Sequence, residues 1–155
     1  MNEIEKVLNL SSETDIILKI GEIIWGKTTP EDNCFSKLND IEKTFVYIDL
    51  LEGQVHNGGF DQFFFNSSGS YTYGILSSYK KIKANKTAEL LETAMKLFPI
   101  QPIPTNTAIR RQYMVNVEEF ISERWNDLDD EFYKYADNVP ELLISFIKEH
   151  IREFD

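Results

Sequence analysis

The chain has 155 residues, a formal net charge of −10 and a single cysteine, Cys34. Its length is that of one ordinary domain, and 42% hydrophobic residues suffice for a core. The negative charge argues against direct binding to nucleic acid, whose phosphates it repels. One cysteine excludes an internal disulfide and indicates a reducing compartment. No apolar run approaches the roughly 20 residues that span a bilayer, and the acidic start is unlike a signal peptide, so we expect a cytoplasmic protein without membrane contact.

Acidic and basic residues are distributed unevenly along the chain. Residues 1–75 carry 12 acids and 5 bases, and residues 115–155 carry 12 acids and 4 bases. Residues 76–114, between them, carry 2 acids and 7 bases. Two acidic blocks therefore flank a basic middle segment.

Helical periodicity begins near the N-terminus. Residues 3–9 are predicted to form a short helix, and Ser11 or Ser12 to cap a second helix whose isoleucines repeat at helical spacing. Gly26 ends this second helix, and residues 28–33 are predicted to form a loop. We therefore expect a pair of helices in this part of the chain.

A stronger helix start follows at Asn39. Glu42 stands three residues later, which is the spacing of a capping box with Asn in place of the usual Ser or Thr. The helix that opens here is predicted to run to about His56 and to end at residues 57–59, because glycine adopts the left-handed conformation that closes helices. One or two helical turns are predicted over residues 60–65. A capping turn over 66–70 is predicted to precede a helix near 71–82, and Asn85 is predicted to cap a further helix over 86–97.

The C-terminal half of the chain is helical as well. Three prolines between residues 99 and 104 mark a loop, and a short helix follows over 107–115. Asn138 is predicted to cap the last helix, with Pro140 in its first turn. Helix follows helix throughout, so the sequence predicts an all-α fold, a single-domain helical bundle of about seven to eight helices over residues 1–155.

The helix predicted over residues 117–136 has the clearest hydrophobic period in the chain. Its apolar residues fall on one side: Ile121, Trp125, Leu128, Phe132 and Tyr135. Acids cluster on the opposite side, and with one neighbour they form a candidate partner-binding surface, the acidic face: Glu119, Glu123, Asp127, Asp130 and Glu131. An ordinary solvated face is the alternative interpretation.

The spacing of these acids limits what one helix can imitate. Glu119 to Asp130 spans about 16 Å at roughly 1.5 Å per residue, so four carboxylates stand roughly 5 Å apart. A DNA strand carries one phosphate per roughly 3.4 Å of axis. An imitation of DNA would therefore need further carboxylates, from Glu141, Glu149 and Glu153 or from a second subunit.

Residue chemistry alone predicts no active site. His56 precedes Asp61, but the predicted helix end already accounts for an imidazole there, because the helix dipole favours positive charge. Cys34 has no neighbouring base that would activate it as a nucleophile. Cys34, His56 and His150 are too few for a zinc site and lack its spacing. We therefore predict no catalytic residue, no cofactor and no metal ligand.

The most unusual stretch, residues 56–69, reads HNGGFDQFFFNSSG. It resembles the signature of the DNA mimic protein 19 family, a helical bacterial family otherwise described as a domain of unknown function, in an Asn-Gly-Gly-Phe-x-Gln-(Phe/Tyr)-(Phe/Tyr)-x-Asn-x-x-Gly core. The resemblance covers roughly residues 40–152 and includes the segment 128–133. The core positions all match: Asn57, Gly58, Gly59, Phe60, Gln62, Phe63, Phe64, Asn66 and Gly69.

The resemblance implies an acidic, non-enzymatic protein that acts as a dimer. Its partner would be a transcriptional regulator or another DNA-binding protein, whose DNA-binding surface it occupies. The shared motif contains one acid, Asp61, so we expect its residues to be mainly structural and the acidic face to bind the partner. The basic segment from Lys80 to Arg111 departs from a uniformly acidic mimic, unless it lies on another face or pairs with acids.

Two other functions stay open at this point. One is a protein-interaction module of another kind, an immunity or regulatory protein, that uses the aromatic segment 60–65. Four phenylalanines in these six residues cannot all point one way on a short helix, so the segment packs in the core or contributes to an interface. The other is a hydrolase-like enzyme that uses the polar residues of the motif: His56, Asn57, Gln62 and Asn66.

Overall fold

A computed structural model describes residues 2–28 and 35–154 of the chain. These residues form eight α-helices and two short 3-10 helices, with no strand among them. The all-α, single-domain bundle predicted from the sequence is therefore confirmed. The helices are α1 Glu3–Leu8, α2 Glu13–Trp25, α3 Asp40–Phe65, α4 Thr72–Lys81, α5 Asn85–Lys96, α6 Thr107–Met114, α7 Glu119–Tyr133 and α8 Val139–Glu149. Within the described ranges, no helix is long and apolar enough to cross a membrane.

Two asparagines begin helices in the same way. The predicted capping box at Asn39 is confirmed. The Asn39 side-chain oxygen accepts from the Glu42 backbone amide at 2.8 Å, and the Asn39 backbone amide donates to Glu42 Oε1 at 3.0 Å. Asn2 makes the equivalent box at the start of α1. Each side chain also uses its Nδ2, because Asn2 donates to the Phe154 carbonyl at 2.8 Å and Asn39 to the Glu153 carbonyl at 2.9 Å. The starts of α1 and α3 are thereby tied to the C-terminal segment.

The predicted end of the third helix at residues 57–59 is confirmed as a kink at Gly59, whose φ of 77° and ψ of −176° are not helical. The helical turns predicted over residues 60–65 follow directly, so α3 comprises two helical segments on either side of this kink. The glycine does adopt the positive φ that the prediction required. The chain then resumes a helix, because the amide of Phe60 finds a side-chain acceptor elsewhere in the fold instead of remaining unpaired.

Three predicted helix starts gave different outcomes. Asn138 caps α8 through the Glu141 amide, as predicted, with Pro140 in the first turn. Asn85 does not cap α5; it lies inside the helix, and Asp137 Oδ2 accepts from the Thr87 amide at 2.8 Å instead. No side chain caps α4, and residues 67–71 form a 3-10 helix that leads into it.

Most of the predicted loop 28–33, and Cys34, lie outside the described residues.

Helix α3 is the centre of the bundle. It packs against α2, α4 and α7, while α5 packs on α4 and α7, and α8 packs on α2. Phe60, Phe63 and Phe64 are fully buried, and Trp125 of α7 packs beside Phe64 with ring centroids 5.2 Å apart. The Trp125 indole donates to the Ala94 carbonyl of α5 at 3.0 Å. The aromatic segment thus fixes α7 to the bundle by its apolar side.

Candidate functional site

The outward side of α7 carries the acidic face. All five of its side chains are exposed, whereas Ile121, Trp125, Leu128 and Phe132 are buried on the inward side. Helix α7 contains six acids and one base, Arg124, which gives it a net charge of −5. The helical period that predicted this division is therefore confirmed within α7 as a description of exposure. The prediction is wrong for Tyr135, which was placed on the apolar side but lies beyond the end of α7 and is 47% exposed.

Most of the carboxylates on the acidic face have no basic partner. Glu131 pairs with Lys134 at 2.7 Å, and both side chains are more than half exposed. For the other four carboxylates, no lysine or arginine nitrogen of residues 2–28 and 35–154 lies within 4.0 Å. Exposed ion pairs contribute little to stability, so the fold does not depend on neutralising this surface. The acidic face therefore presents negative charge to solvent.

One aromatic side chain, Phe120, lies among these acids. It is 55% exposed, although it belongs to a helix whose other large apolar residues are mostly buried. At 100° per residue, Phe120 lies within about 60° of Glu123 and about 20° of Asp127 around the helix axis. The acidic face therefore combines negative charge with an apolar side chain.

Three residues of the basic segment from Lys80 to Arg111 have different surroundings. Lys80 of α4 pairs with Glu92 of α5 at 3.5 Å. Arg110 is fully buried. Lys86, by contrast, lines a shallow groove with Glu131 and Lys134, so positive charge borders the C-terminal end of the acidic face.

A buried acid of α7, Asp129, was missed by sequence reasoning. Its Oδ1 accepts from the Phe60 amide at 2.8 Å, directly after the kink of α3. A Cβ atom at Gly59 would overlap the Asp129 carboxylate, so the glycine is required both by its positive φ and by this close approach. Burial raises the pKa of Asp129 to about 6, against the opposing effect of the Phe60 amide. The contact fixes α7, and with it the acidic face, to the motif.

A second missed residue, Arg110, organises the other end of the motif. Its guanidinium is fully buried without a carboxylate partner among the described residues. It donates to the carbonyls of Phe64 at 2.6 Å, Asn66 at 2.6 Å and Pro104 at 3.0 Å. A Cβ at Gly69 would lie 2.6 Å from Arg110 Nε, which explains why the motif ends in glycine. Burial, followed by the neighbouring Arg111, lowers the pKa of Arg110.

Two side-chain amides of the motif share one acceptor, Gln54, which precedes the motif in α3. Gln54 Oε1 accepts from Gln62 Nε2 and from Asn66 Nδ2, each at 3.0 Å. Of the four phenylalanines, Phe65 alone is exposed, at 42%, and the Arg111 guanidinium covers its ring at 4.5 Å from the centroid. Three phenylalanines therefore belong to the core, and two of the amides that a hydrolase would use, Gln62 and Asn66, are engaged in hydrogen bonds within the fold.

The two histidines differ in their surroundings. His56 lies beside Glu52 and Tyr135 rather than Asp61: its Nε2 contacts the Tyr135 hydroxyl and is 3.7 Å from Glu52 Oε2. His150 Nδ1 is 2.8 Å from the Phe146 carbonyl. In the part of the chain that the structure describes, no three His, Cys, Asp or Glu side chains converge as metal ligands.

Comparison with known proteins gives one match. The family described as DMP19-like protein matches residues 36–150, which is most of the chain and close to the span of the resemblance. No curated protein and no solved structure matches the chain.

Proposed function

The chain belongs to the DMP19-like protein family, and from this premise we propose that it is a non-enzymatic DNA mimic, which binds a DNA-binding protein through the acidic face of α7. The observation that carries the proposal is the set of exposed carboxylates on this face, four of which have no basic partner in the described ranges. A surface of this kind is complementary to a basic, DNA-binding surface.

The mechanism is electrostatic. Carboxylates of the acidic face take the place of phosphates at the partner's lysine and arginine side chains, and DNA is thereby excluded from the same surface. No base edge is offered, so the mimic competes for the positioning contacts and not for sequence readout. The partner is a transcriptional regulator or another protein whose DNA-binding surface is basic.

The limited charge density of one helix bears on the assembly. The carboxylates of α7 are about 5 Å apart along the axis, which is sparser than the roughly 3.4 Å phosphate spacing of a strand. Glu141 and Glu149 are exposed, but they belong to α8, which packs on α2 at another part of the bundle. A homodimer would bring a second acidic face, and we include it in the proposal.

The test uses two variants with equal charge. In the face variant, Glu119→Gln, Glu123→Gln, Asp127→Asn and Asp130→Asn neutralise the four unpaired acids. In the control variant, four exposed acids away from α7 are replaced by the same chemistry: Glu3→Gln, Glu13→Gln, Asp15→Asn and Asp40→Asn. Both variants change the net charge by the same amount, so general electrostatics cannot distinguish them.

Each protein is immobilised at low salt and exposed to an extract of the native host. We expect the wild type and the control variant, but not the face variant, to retain a basic DNA-binding protein. The affinity of the retained protein for the wild-type chain should fall at least about tenfold between roughly 50 and 200 mM salt. DNA that the retained protein binds should compete with the chain for it. Equal retention by the face variant, or binding that salt leaves unchanged, would show that the acidic face is not the binding surface.

The alternative interaction module loses most of its proposed surface. Because Phe60, Phe63 and Phe64 are fully buried, substitutions there would test the core and not an interface. Phe65 is exposed, so Phe65→Ala is the informative variant for that alternative. A partner lost with Phe65→Ala and retained by the face variant would favour it.

A further inference from the structure

A cleft lies on the side of the bundle formed by α2, α3 and α8. Its volume is about 180 Å³, and five apolar side chains from these helices line it, among them Ile17 and Leu143. Four polar side chains complete the lining: Asp49, Glu52, His56 and Tyr135. We call this the Glu52 cleft. A cavity with apolar walls and a few convergent polar groups has the general form of a small-ligand site.

The polar side of the Glu52 cleft is negatively charged. Asp49, Glu52 and His56 stand at positions i, i+3 and i+7 of α3, so they share one side of the helix. The Trp25 indole donates to Asp49 Oδ2 at 2.7 Å and fixes that carboxylate in place. The lining residues include no lysine or arginine. Two carboxyl groups therefore face the cleft without a permanent cation.

One atom of this site is unsatisfied. Glu52 Oε2 is buried and has no hydrogen-bond partner among the described residues. His56 Nε2 is 3.7 Å away, which is beyond hydrogen-bond distance, and contacts the Tyr135 hydroxyl instead. Burial raises the pKa of Glu52 to about 7, a hydrogen bond between the Tyr79 hydroxyl and the Glu52 carboxyl group has a smaller opposing effect, and the charge of Asp49 raises the pKa further. A buried acceptor without a donor is costly, and few native structures retain one without a reason.

We propose that the Glu52 cleft binds a primary ammonium group carried on a short alkyl chain. The ammonium supplies the missing donor to Glu52 Oε2 and the positive charge that the two carboxyl groups lack. The alkyl chain lies against the apolar walls. The ligand is a free alkylamine or the lysine side chain of a partner protein, which share this chemistry.

The side chains next to Glu52 Oε2 in the cleft are exposed. The His56 side chain, whose Nε2 is 3.7 Å from Glu52 Oε2, is 41% exposed, and Tyr135, whose hydroxyl contacts His56, is 47% exposed. Exposed side chains change rotamer rapidly, so these two can move without a change in the helices. The cleft is formed by α2, α3 and α8, whereas the acidic face lies on α7. The proposal is therefore independent of the proposed function.

The test measures the binding of n-butylammonium to the full chain by NMR at constant ionic strength and about pH 8, where Glu52 is mostly ionised. We expect the chemical-shift changes caused by n-butylammonium to be confined to residues of the Glu52 cleft. 1-Butanol has the same length and no charge, and it should bind at least about tenfold more weakly, which is the effect of losing one charge-assisted hydrogen bond. Equal binding of the two probes would reduce the site to an apolar indentation and overturn the proposal.

Two variants of equal charge sharpen this result. Glu52→Gln keeps the shape of the side chain and removes the carboxylate, so it should weaken n-butylammonium binding at least about tenfold. Glu89→Gln makes the same change at an exposed acid of α5, outside both the cleft and the acidic face, and should leave that binding unaltered. Unaltered binding by Glu52→Gln, or shifts centred on α7 in the wild type, would contradict the proposal. If Glu52→Gln does not fold, the comparison of the two probes on the wild type still decides.

The source of the ammonium is settled by a second pair of probes. N-acetyl-lysine N-methylamide presents a lysine side chain between two peptide bonds, as a protein does. Binding of this compound as tight as that of n-butylammonium would indicate a lysine from a partner protein. Binding of n-butylammonium alone would indicate a free alkylamine, because the peptide groups would then collide with the rim of the cleft.

Discussion

The motif over residues 57–69 and the acidic face of α7 use polar residues in opposite ways. In the motif, the side-chain amides of Gln62 and Asn66 donate to Gln54, and the buried carbonyl group of Phe64 accepts from Arg110. On the acidic face, four of five carboxylates have no basic partner in the described part of the chain. The most distinctive part of the sequence therefore builds the fold, whereas the acids of the acidic face leave their charge exposed to solvent. Asp129 connects the two regions, because it belongs to α7 and binds the motif.

The largest expected effect concerns the buried cation of the motif. Arg110→Leu removes the donors to the carbonyls of Phe64, Asn66 and Pro104, and we expect it to lower the free energy of unfolding by about 4 kcal/mol or more. Urea unfolding followed by circular dichroism measures the loss. Arg111→Leu is the matched control and should cost no more than about 1 kcal/mol, since its side chain is exposed. A loss at Arg110 as small as that at Arg111 would show that the motif does not need this residue.

The next effect concerns the link between the two regions. Gly59→Ala places a side chain at φ 77° and against the Asp129 carboxylate, so we expect a loss of about 3 kcal/mol in unfolding free energy. Asp129→Ala removes the obstacle, and the double variant should be more stable than the sum of the single losses by about 1 kcal/mol or more. If the losses of unfolding free energy in the two single variants add up to the loss in the double variant, the kink and α7 are not coupled through this contact.

A smaller effect should depend on pH. The pKa of Asp129 is raised from 3.8 to about 6 in the folded protein, mainly by burial, so the folded state holds this proton more tightly than the unfolded state does. Its stabilising contribution is complete below about pH 4 and is lost as the pH rises through about 6. Relative to Asp129→Asn, the wild type should therefore lose about 1–2 kcal/mol over this interval. The unfolding free energies of both proteins, measured across this pH interval, give the difference. An equal dependence of the two free energies on pH would contradict the raised pKa of Asp129.

The smallest effect on stability is expected on the acidic face itself. The face variant with four neutralised acids should unfold within about 0.5 kcal/mol of the wild type, because its carboxylates are exposed and unpaired. A slight gain is the favoured direction, since neutralisation removes repulsion between like charges on α7. A loss above about 1 kcal/mol would show that these acids serve the fold, and the contrast between the two regions would then fail.

Local patterns predicted much of the fold. The capping box at Asn39 and the cap at Asn138 involve residues three apart, so their chemistry can be recognised in the sequence. The period of α7 separated Trp125 and its buried neighbours from the acids, and all five acids are exposed as that period indicates. Their role in binding a partner is still a prediction.

The features that sequence reasoning missed depend on distant partners. Asp129, 69 residues away in sequence, accepts from the Phe60 amide and thereby joins α7 to the helical segment that follows Gly59. Helix α5 begins without its own cap because Asp137 accepts from the Thr87 amide. Arg110 was assigned to a basic segment by its charge, and its burial follows from carbonyl groups more than 40 residues earlier in the chain. No local spacing encodes these contacts.

The two capping asparagines have a consequence for the order of folding. Asp would accept the N3 amide equally well, but it has no donor, whereas the side-chain nitrogen of asparagine also donates to the carbonyl of Phe154 or Glu153. These bonds close loops of 152 and 114 residues, which a growing chain cannot form until residues 153 and 154 have been made. The first-turn amides of α1 and α3 should therefore become fully protected from hydrogen exchange only late in folding. The substitution Asn39→Asp should preserve the cap of α3 while releasing its bond to the C-terminal segment.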